Sequence, residues 1–365
     1  MLFVYELFDL WALPAATAWL VVGYFGVALI VDTTFSGAAF CKHVCPVGQF
    51  NFIASTVSPL EVGVRDRSVC ERCTTVDCIK GRRDERVPAT IVQRGCELGL
   101  FLPSKVGNLE CTFCLDCVQA CPHDNVAISA RVPGEELADN RHRSVIGRLH
   151  QRADIAALVL LFTFGALMNA FAMTAPVYQI EARVARALRT SAEAPVLGIT
   201  FIAALGIIPM ALCGAAAFVA RALAPTRAST PGVRAIAVRY AYALVPFGVG
   251  VWLAHYGFHF LTGIWTIVPV TQSAAIDATG RALLGAPDWR WLGMRPGAVF
   301  PLQLGATLLG AMGSLMLVHR LAEHDRDSLG PRAAIPWSIF VVGLTAVAWW
   351  ILAQPMDMRG TWLGG

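Results

Sequence analysis

Six long stretches of the chain contain no Asp, Glu, Lys or Arg, which constrains the fold more than any other feature. The stretches are Leu10–Val31, Ile155–Ile180, Ala194–Ala220, Tyr240–Ile276, Pro296–Val318 and Ala333–Met356. A helix needs about 20 residues to cross the hydrocarbon of a membrane, where every backbone N–H and C=O must be paired within its own segment. The sequence therefore predicts an integral membrane protein with about six transmembrane helices.

The fourth stretch is too long for a single crossing, because it contains 37 residues. Its second half includes Pro269, Thr271 and Gln272, which make a poor lipid-facing helix. We expect a helix that ends at about Leu261 and then an uncharged outer loop near the membrane surface, within residues 263–297.

Charge and cysteine content divide the chain into regions. Only 15% of its 365 residues are charged, against about a quarter in soluble domains. Residues 34–154 nevertheless hold 15 of the 29 basic residues and ten of the 11 cysteines. We therefore expect a first transmembrane helix (1–33), a polar cysteine-rich domain (34–154) and a five-helix transmembrane domain (155–365). This composition excludes an ordinary cytosolic enzyme and a secreted disulfide scaffold, and a net charge of +4 gives no indication of nucleic-acid binding.

The basic residues also predict the orientation in the membrane. With six crossings, 22 Lys and Arg lie on the side of residues 34–154 and seven lie on the opposite side. Basic loops stay in the cytoplasm. We expect the cysteine-rich domain to lie in the cytoplasm and both termini to lie outside.

Small residues recur along the fifth stretch at four-residue spacing. Ala306, Gly310 and Ser314 would let this helix approach a neighbouring helix closely. The alternative is that membrane helices are simply rich in small residues.

The clearest motif is a run of four cysteines before a proline. Cys111, Cys114, Cys117 and Cys121 have the spacing C-x2-C-x2-C-x3-C-P. This is the bacterial ferredoxin run, in which three cysteines bind one [4Fe–4S] cluster and the fourth binds another. A zinc site, which usually takes two separated C-x2-C pairs, is the less favoured alternative.

A second cysteine set precedes this run with irregular spacing: Cys70, Cys73, Cys78 and Cys96. Together the eight thiolates match two [4Fe–4S] clusters at four each. Two arrangements remain open, since each set could serve its own cluster or the sets could exchange their last members. The crossed arrangement places Cys70, Cys73, Cys78 and Cys121 on one cluster and Cys96, Cys111, Cys114 and Cys117 on the other.

Three cysteines remain. Cys41 and Cys45 form a C-x3-C-P element just beyond the first stretch, and they are either a redox pair or small residues that pack a helix end. Cys213 lies in mid-stretch among Ala and Gly, and we expect inert packing there.

A histidine pair lies within the fourth stretch, where ionisable residues usually mark a function. His255 and His259 are four residues apart, on one face of a helix. The rise of about 1.5 Å per residue places them in the outer part of the bilayer. They are candidates for contact with a quinone or a haem; neutral histidines bonded to nearby backbone are the alternative.

Residues 36–128 resemble a known family, the membrane-bound polyferredoxins of the NapH, NosR and CcoG group. The resemblance rests on Cys41-Lys42-His43-Val44-Cys45-Pro46, on Ser58-Pro59-Leu60 and on the run that ends in Cys121-Pro122. It implies a membrane all-α scaffold of about six transmembrane helices with an inserted small α+β ferredoxin-like domain that carries two clusters. This chain departs from the family pattern in having one free C-x3-C-P element and an irregular first cysteine set.

The expected protein is a multi-pass iron–sulfur protein of the bacterial inner membrane. Its expected function is electron transfer between a cytoplasmic or quinone donor and a respiratory or photosynthetic partner. The expected redox partner is a ferredoxin, a flavodoxin, a cytochrome or a respiratory complex. Two alternatives are a quinone-interacting oxidoreductase subunit and a redox assembly factor for a respiratory metalloenzyme.

Overall fold

The structure is a computed structural model that describes residues 8, 10, 13–84, 86, 90–143, 146–225, 230–290 and 292–355. Met356, the last residue of the sixth charge-free stretch, lies outside the described residues. The described α-helices are α1 Pro14–Thr34, α2 Pro46–Ala54, α3 Arg67–Glu71, α4 Asp77–Lys80, α5 Asp116–Ala120, α6 Glu135–Ala138, α7 Ala153–Phe171, α8 Ala175–Leu188, α9 Glu193–Ile202, α10 Ile208–Ala222, α11 Val233–Ala241, α12 Val245–Gly263, α13 Ile267–Thr279, α14 Pro296–His324, α15 Arg326–Leu329 and α16 Ala334–Leu352.

Six helical segments of the described chain are long and apolar enough to cross a membrane, which confirms the predicted number. They are Pro14–Thr34, Ala153–Phe171, Glu193–Ala222, Val233–Thr279, Pro296–His324 and Pro331–Leu352. The protein is therefore mostly helical and fits a multi-pass membrane protein.

The expectation of a loop directly after Leu261 is wrong. The chain continues through a short 3-10 turn into α13. Pro269 occupies the third position of α13, where its missing N–H costs no helical hydrogen bond. The Thr271 hydroxyl donates to the backbone oxygen of Ile267 at 2.6 Å. The helical backbone thus provides a hydrogen-bond acceptor for the Thr271 hydroxyl. Only part of the 263–297 segment is therefore irregular.

Helices α12 and α14 approach each other closely at small residues, as predicted for the fifth stretch. A Cβ atom added to Gly310 would lie 2.6 Å from the backbone oxygen of Pro246, and one added to Gly250 would lie 2.6 Å from that of Ala306. The backbone N–H of Phe247 donates to the Ser314 hydroxyl at 3.0 Å. The small-residue spacing thus serves a close helix contact.

The described residues of the cysteine-rich segment form two pairs of short antiparallel strands. Strand β1 (Leu60–Val64) pairs with β4 (Val126–Ala130), and β2 (Arg82–Arg83) pairs with β3 (Ile91–Gln93). The first pair brings together the two ends of the segment that carries the eight candidate ligands. Helices α4 and α5 lie against each other, and α5 also contacts β3 and β4.

Among the residues that the structure describes, two hydrophobic cores support this arrangement. A small core within the cysteine-rich segment includes Val62, Leu102, Cys117 and Val126. A larger core contains residues of α7, α10, α11, α12, α14 and α16, together with Ile53, Leu109, Leu137 and Leu149 from the 34–154 segment. The segment that precedes Cys111 is thereby packed directly on the helical bundle.

Candidate functional site

The first group of sulfurs contains Cys70, Cys73, Cys78 and Cys121, which together line one small pocket. Burial raises the pKa of Cys78 to about 11, and the nearby charges of the other three thiols add to this effect. By contrast, hydrogen bonds from the backbone of Val76 and from the Thr75 side chain are the main causes that lower the pKa of Cys73 to about 7. Cys121, from the end of the ferredoxin run, therefore lies with the earlier cysteine set.

The second group contains Cys111, Cys114, Cys117 and Cys96. Burial raises the pKa of Cys117 to about 12, and charges on Cys96, Cys111 and Cys114 act in the same direction. Burial is also the main cause that raises the pKa of Cys111. Charges on Cys96 and Cys114 act in the same direction. Of the two arrangements open from the sequence, the structure shows the crossed grouping of thiols.

The loops that carry these cysteines are tightly curved. Val76, Phe113 and Leu115 adopt left-handed backbone conformations with φ of 54°, 59° and 67°. Such values are uncommon for residues other than glycine and concentrate at functional sites. Here they allow each loop to turn around its group of sulfurs.

Hydrogen-bond donors point at several of the sulfurs. The Asn125 side chain donates from Nδ2 to Sγ of Cys70 at 3.2 Å, and its backbone N–H donates to Sγ of Cys121 at 3.4 Å. Backbone N–H groups also donate to Cys96 and Cys111 at 3.4 Å. Donors of this kind stabilise thiolates and tune the potential of a bound cluster. Sequence reasoning missed Asn125, because it belongs to no recognised motif and meets Cys70 only in the folded chain.

The donor sets fit two four-thiolate clusters. Four thiolates held together repel one another unless a positive group lies between them, and cluster iron supplies that charge. Among the described residues, no three His, Cys, Asp or Glu side chains lie close enough to hold a single metal ion. A [4Fe–4S] cluster needs a different arrangement of ligands, because each of its irons binds its own thiolate.

The Cys41–Cys45 element lies between α1 and α2. Residues Phe40–Val44 form a π-helical turn, and Cys45 caps the N-terminus of α2 by accepting a hydrogen bond from the N–H of Gly48 at 3.2 Å. The Tyr24 hydroxyl donates to Sγ of Cys45 at 2.7 Å. Burial acts to raise the pKa of Cys45, but these hydrogen bonds outweigh it and lower the pKa. Two hydrogen-bond donors therefore point at Sγ of Cys45, and whether the pair is redox-active stays a prediction.

Cys41 is the exposed member of this pair. The eleventh cysteine, Cys213, is buried in α10, with Sγ 3.8 Å from the backbone oxygen of Ala237. It lies between helices, as expected for a packing residue.

The two candidate histidines lie together in α12, with ring centroids 4.8 Å apart. His255 is buried and His259 is half-buried. Within the described part of the chain, Nε2 of each histidine is buried and has no hydrogen-bond partner. Both Nε2 atoms therefore remain unpaired among the described residues, while the depth of the pair in a membrane stays a prediction.

A large cleft lies beside the second cysteine group, with a volume of about 900 Å³. Three segments line it: residues 38–55, residues 98–113, which end beside Cys111, and residues 146–158. No sequence motif indicated this cleft, because it forms only where these distant segments meet.

Comparisons with known proteins support a ferredoxin-like electron-transfer family. Ferredoxin-type protein NapH of Escherichia coli strain K12 is 29% identical over 118 residues, which are 31% of this chain and 39% of NapH. Putative electron transport protein YccM of the same strain is 29% identical over 97 residues, 26% of this chain and 22% of YccM. The chain thus spans less than half the length of each of these curated relatives. No family model and no solved structure matches it.

Proposed function

We propose that residues 34–154 form a ferredoxin-like domain that binds two [4Fe–4S] clusters. The crossed grouping of the thiols carries this proposal, because two remote cysteines complete two sets of four. The ligands of one cluster would be Cys70, Cys73, Cys78 and Cys121, and those of the other would be Cys96, Cys111, Cys114 and Cys117. The pairing of β1 with β4 supports the same conclusion, since it holds the ends of the domain together.

The proposed role is electron transfer at a bacterial inner membrane, with the cluster domain in the cytoplasm. When bound, each cluster exchanges one electron with its partner. The chain itself holds the thiolates in place, donates N–H groups to their sulfurs and partly excludes water from Cys78 and Cys117. The named relatives support this role, and membership of the NosR and CcoG branches stays a prediction.

Anaerobic purification tests the cofactor content. We expect about eight iron and eight labile sulfide per chain, since eight cysteines match two clusters at four thiolates each. Replacing Cys96 by Ser should reduce the signal of one cluster and leave that of the cluster bound by Cys70 and Cys73. Bound zinc without iron would overturn the cluster proposal. Loss of the Cys70 cluster instead would overturn the crossed arrangement.

Reporter fusions test the orientation. A reporter inserted near Gly134 should be active in the cytoplasm, and one fused after Gly365, outside the described residues, should be active in the periplasm. A cytoplasmic C-terminus would contradict the orientation. The segment from Val233 to Thr279 would then be the first place to look for an additional crossing.

The hydrogen bonds that Tyr24 and Gly48 donate to Sγ of Cys45 support a second candidate function, that of a redox assembly factor for a respiratory metalloenzyme. In this role Cys41 and Cys45 would act as a redox pair. Replacing both by Ser should then leave the iron content unchanged and reduce the cofactor content of the partner enzyme in cells. Normal cofactor content in the partner would rule out this role.

The unpartnered nitrogens of His255 and His259 support a candidate contact with a quinone or a haem. A single pair on one helix does not supply ligands on opposite faces of a haem, so a haem would need another ligand. A haem absorbance spectrum of the purified protein that disappears in His255→Ala would support the haem contact. No haem in the unaltered protein would leave a quinone as the only ligand to test.

A further inference from the structure

Asn125 connects two distant cysteines of the first group. It directly precedes β4 and is only 5% exposed. Its Oδ1 accepts the backbone N–H of Asp66 at 2.9 Å, and its Nδ2 donates to the backbone oxygen of Asp66 at 2.7 Å. Nδ2 also donates to Sγ of Cys70 at 3.2 Å, and the backbone N–H of Asn125 donates to Sγ of Cys121 at 3.4 Å.

The two hydrogen bonds with Asp66 fix the orientation of the Asn125 amide. An amide nitrogen carries two hydrogens, whereas an amide oxygen only accepts. Turning the amide over would place Oδ1 against the backbone oxygen of Asp66 and the sulfur of Cys70, and would place Nδ2 against the N–H of Asp66. The contact with Asp66 therefore requires a donor to face the sulfur, and burial strengthens that hydrogen bond.

The main chain around Asn125 holds this donor in place. Strands β1 and β4 pair as far as Val64 and Val126, and the N–H of Arg65 then donates to the backbone oxygen of Asn125 at 2.8 Å. Asn125 thus continues the strand pair by one residue. The sheet and Asp66 position the amide, so the donor stays at the sulfur when the charge on that sulfur changes.

The second cysteine group has different hydrogen-bond donors. The N–H groups of Leu100 and Phe113 donate to Cys96 and Cys111, both at 3.4 Å. In the described part of the chain, no side chain donates a hydrogen bond to a sulfur of this group. An effect of the Asn125 amide should therefore be confined to the first group.

We propose that Asn125 raises the reduction potential of the first cluster, the one assigned to Cys70, Cys73, Cys78 and Cys121, and so favours residence of the transferred electron there. The inference rests on the proposed function, because it requires that cluster. One-electron reduction adds negative charge to the irons and their sulfur ligands, and no bond to the chain forms or breaks. A fixed N–H donor stabilises this added charge and favours the reduced form. Asn125 is therefore a positioning residue that acts through the sulfur of Cys70.

A redox titration of the full chain, purified anaerobically in detergent, tests the proposal. EPR spectroscopy follows each cluster while dithionite supplies the electrons, and the signal retained in Cys96→Ser identifies the first cluster. Asn125→Ala removes the side-chain donor. It should lower the equilibrium constant for one-electron reduction of the first cluster about tenfold, the effect of one hydrogen bond to a charged group, which corresponds to about 59 mV. Asn125→Asp keeps an acceptor for the N–H of Asp66 but places a negative oxygen at the sulfur, so its decrease should be larger.

The matched control is Asn108→Ala. Asn108 is also buried, at 3% exposure, but its Nδ2 donates to the backbone oxygens of Leu60 and Ser55, at 2.7 and 3.4 Å. Its replacement should destabilise the same segment without shifting the potential of the first cluster. Equal shifts in Asn108→Ala and Asn125→Ala would refute a direct effect of the donor. A smaller decrease in Asn125→Asp than in Asn125→Ala would refute it as well.

Pulsed EPR provides a test that needs no variant to fold. In unaltered protein labelled with ¹⁵N at the side-chain amides of asparagine, the reduced first cluster should show coupling to ¹⁵N. Absence of this coupling would overturn the proposal. Loss of the first cluster from both Asn125 variants would also overturn it, because the residue would then be needed to bind the cluster rather than to set its potential.

Iron analysis separates failure of this inference from failure of the proposed function. Two cluster signals with potentials that are unchanged in both Asn125 variants would refute the role of Asn125 and leave the clusters established. Absence of iron from the unaltered protein would refute the proposed function itself, and this inference with it.

Discussion

Replacing Glu136 by Gln should destabilise the cysteine-rich domain more than any exposed charge change. The Glu136 side chain is 2% exposed and lies 2.9 Å from the guanidinium of Arg131, which is 7% exposed. Its two carboxylate oxygens also accept the backbone N–H groups of Asn108 and Leu109, at 2.9 and 3.2 Å. One buried carboxylate therefore fixes both an arginine and the segment that leads into Cys111.

The expected loss follows from the charge that remains. Breaking a buried ion pair from one side costs about 3–5 kcal/mol, because the partner charge stays buried without compensation. Arg131 keeps a weaker contact with Glu61 at 3.8 Å and donates to the backbone oxygen of Ser58 at 3.0 Å. We therefore expect the lower end, about 3 kcal/mol, which reduces the ratio of folded to unfolded protein roughly a hundredfold.

Thermal unfolding of the detergent-purified protein, followed by the loss of cluster absorbance, measures this effect. If the proposed clusters are present, the one assigned to Cys111 should be lost at a lower temperature than the other. The matched control is Glu71→Gln, because Glu71 pairs with Arg67 at 3.5 Å while both side chains are largely exposed. That control should change stability by about 0.5 kcal/mol or less.

A double-mutant cycle provides the result that would refute the reasoning. Arg131→Met removes the remaining charge. The double variant should therefore lose about 2 kcal/mol less stability than the sum of the losses in the two single variants. If the two effects simply add, the ion pair does not stabilise the domain. The loss in Glu136→Gln would then come only from its hydrogen bonds to the backbone.

Three further predictions concern the helices and the isolated cysteines. Gly310→Leu should destabilise the bundle by about 3 kcal/mol in thermal unfolding, because its Cβ would meet the backbone of α12, whereas Gly305→Leu on the same helix, with open space around it, should not. Tyr24→Phe removes a hydrogen bond that lowers the pKa of Cys45, so the pH midpoint of Cys45 alkylation, followed by peptide mass spectrometry, should move upward; an unchanged midpoint would contradict this. Cys213→Ala should leave the iron content unchanged, and a fall in iron would show that the cysteines were wrongly divided.

The sequence by itself determined the helical scaffold. Six charge-free stretches predict six long apolar helices because backbone polar groups in a membrane must be paired locally, and local pairing follows from composition and length. The small residues at Ala306, Gly310 and Ser314 likewise predicted a close helix contact, because their lack of bulk is a property of the residues themselves. The cysteine spacing pointed to cluster chemistry for a similar reason, since three thiols in one short loop are close in any fold.

The tertiary structure decided what depends on distant segments. Pairing of β1 with β4 brings Cys121 to the earlier cysteine set, and the sequence alone left that choice open. Residues 267–279 form a helix because their hydroxyls find backbone acceptors one turn away, which a count of polar residues does not reveal. The cleft beside the second cysteine group and the Asn125 contact with Cys70 have the same origin. Each joins groups separated by more than 50 residues, and only the packing of the folded chain sets such distances.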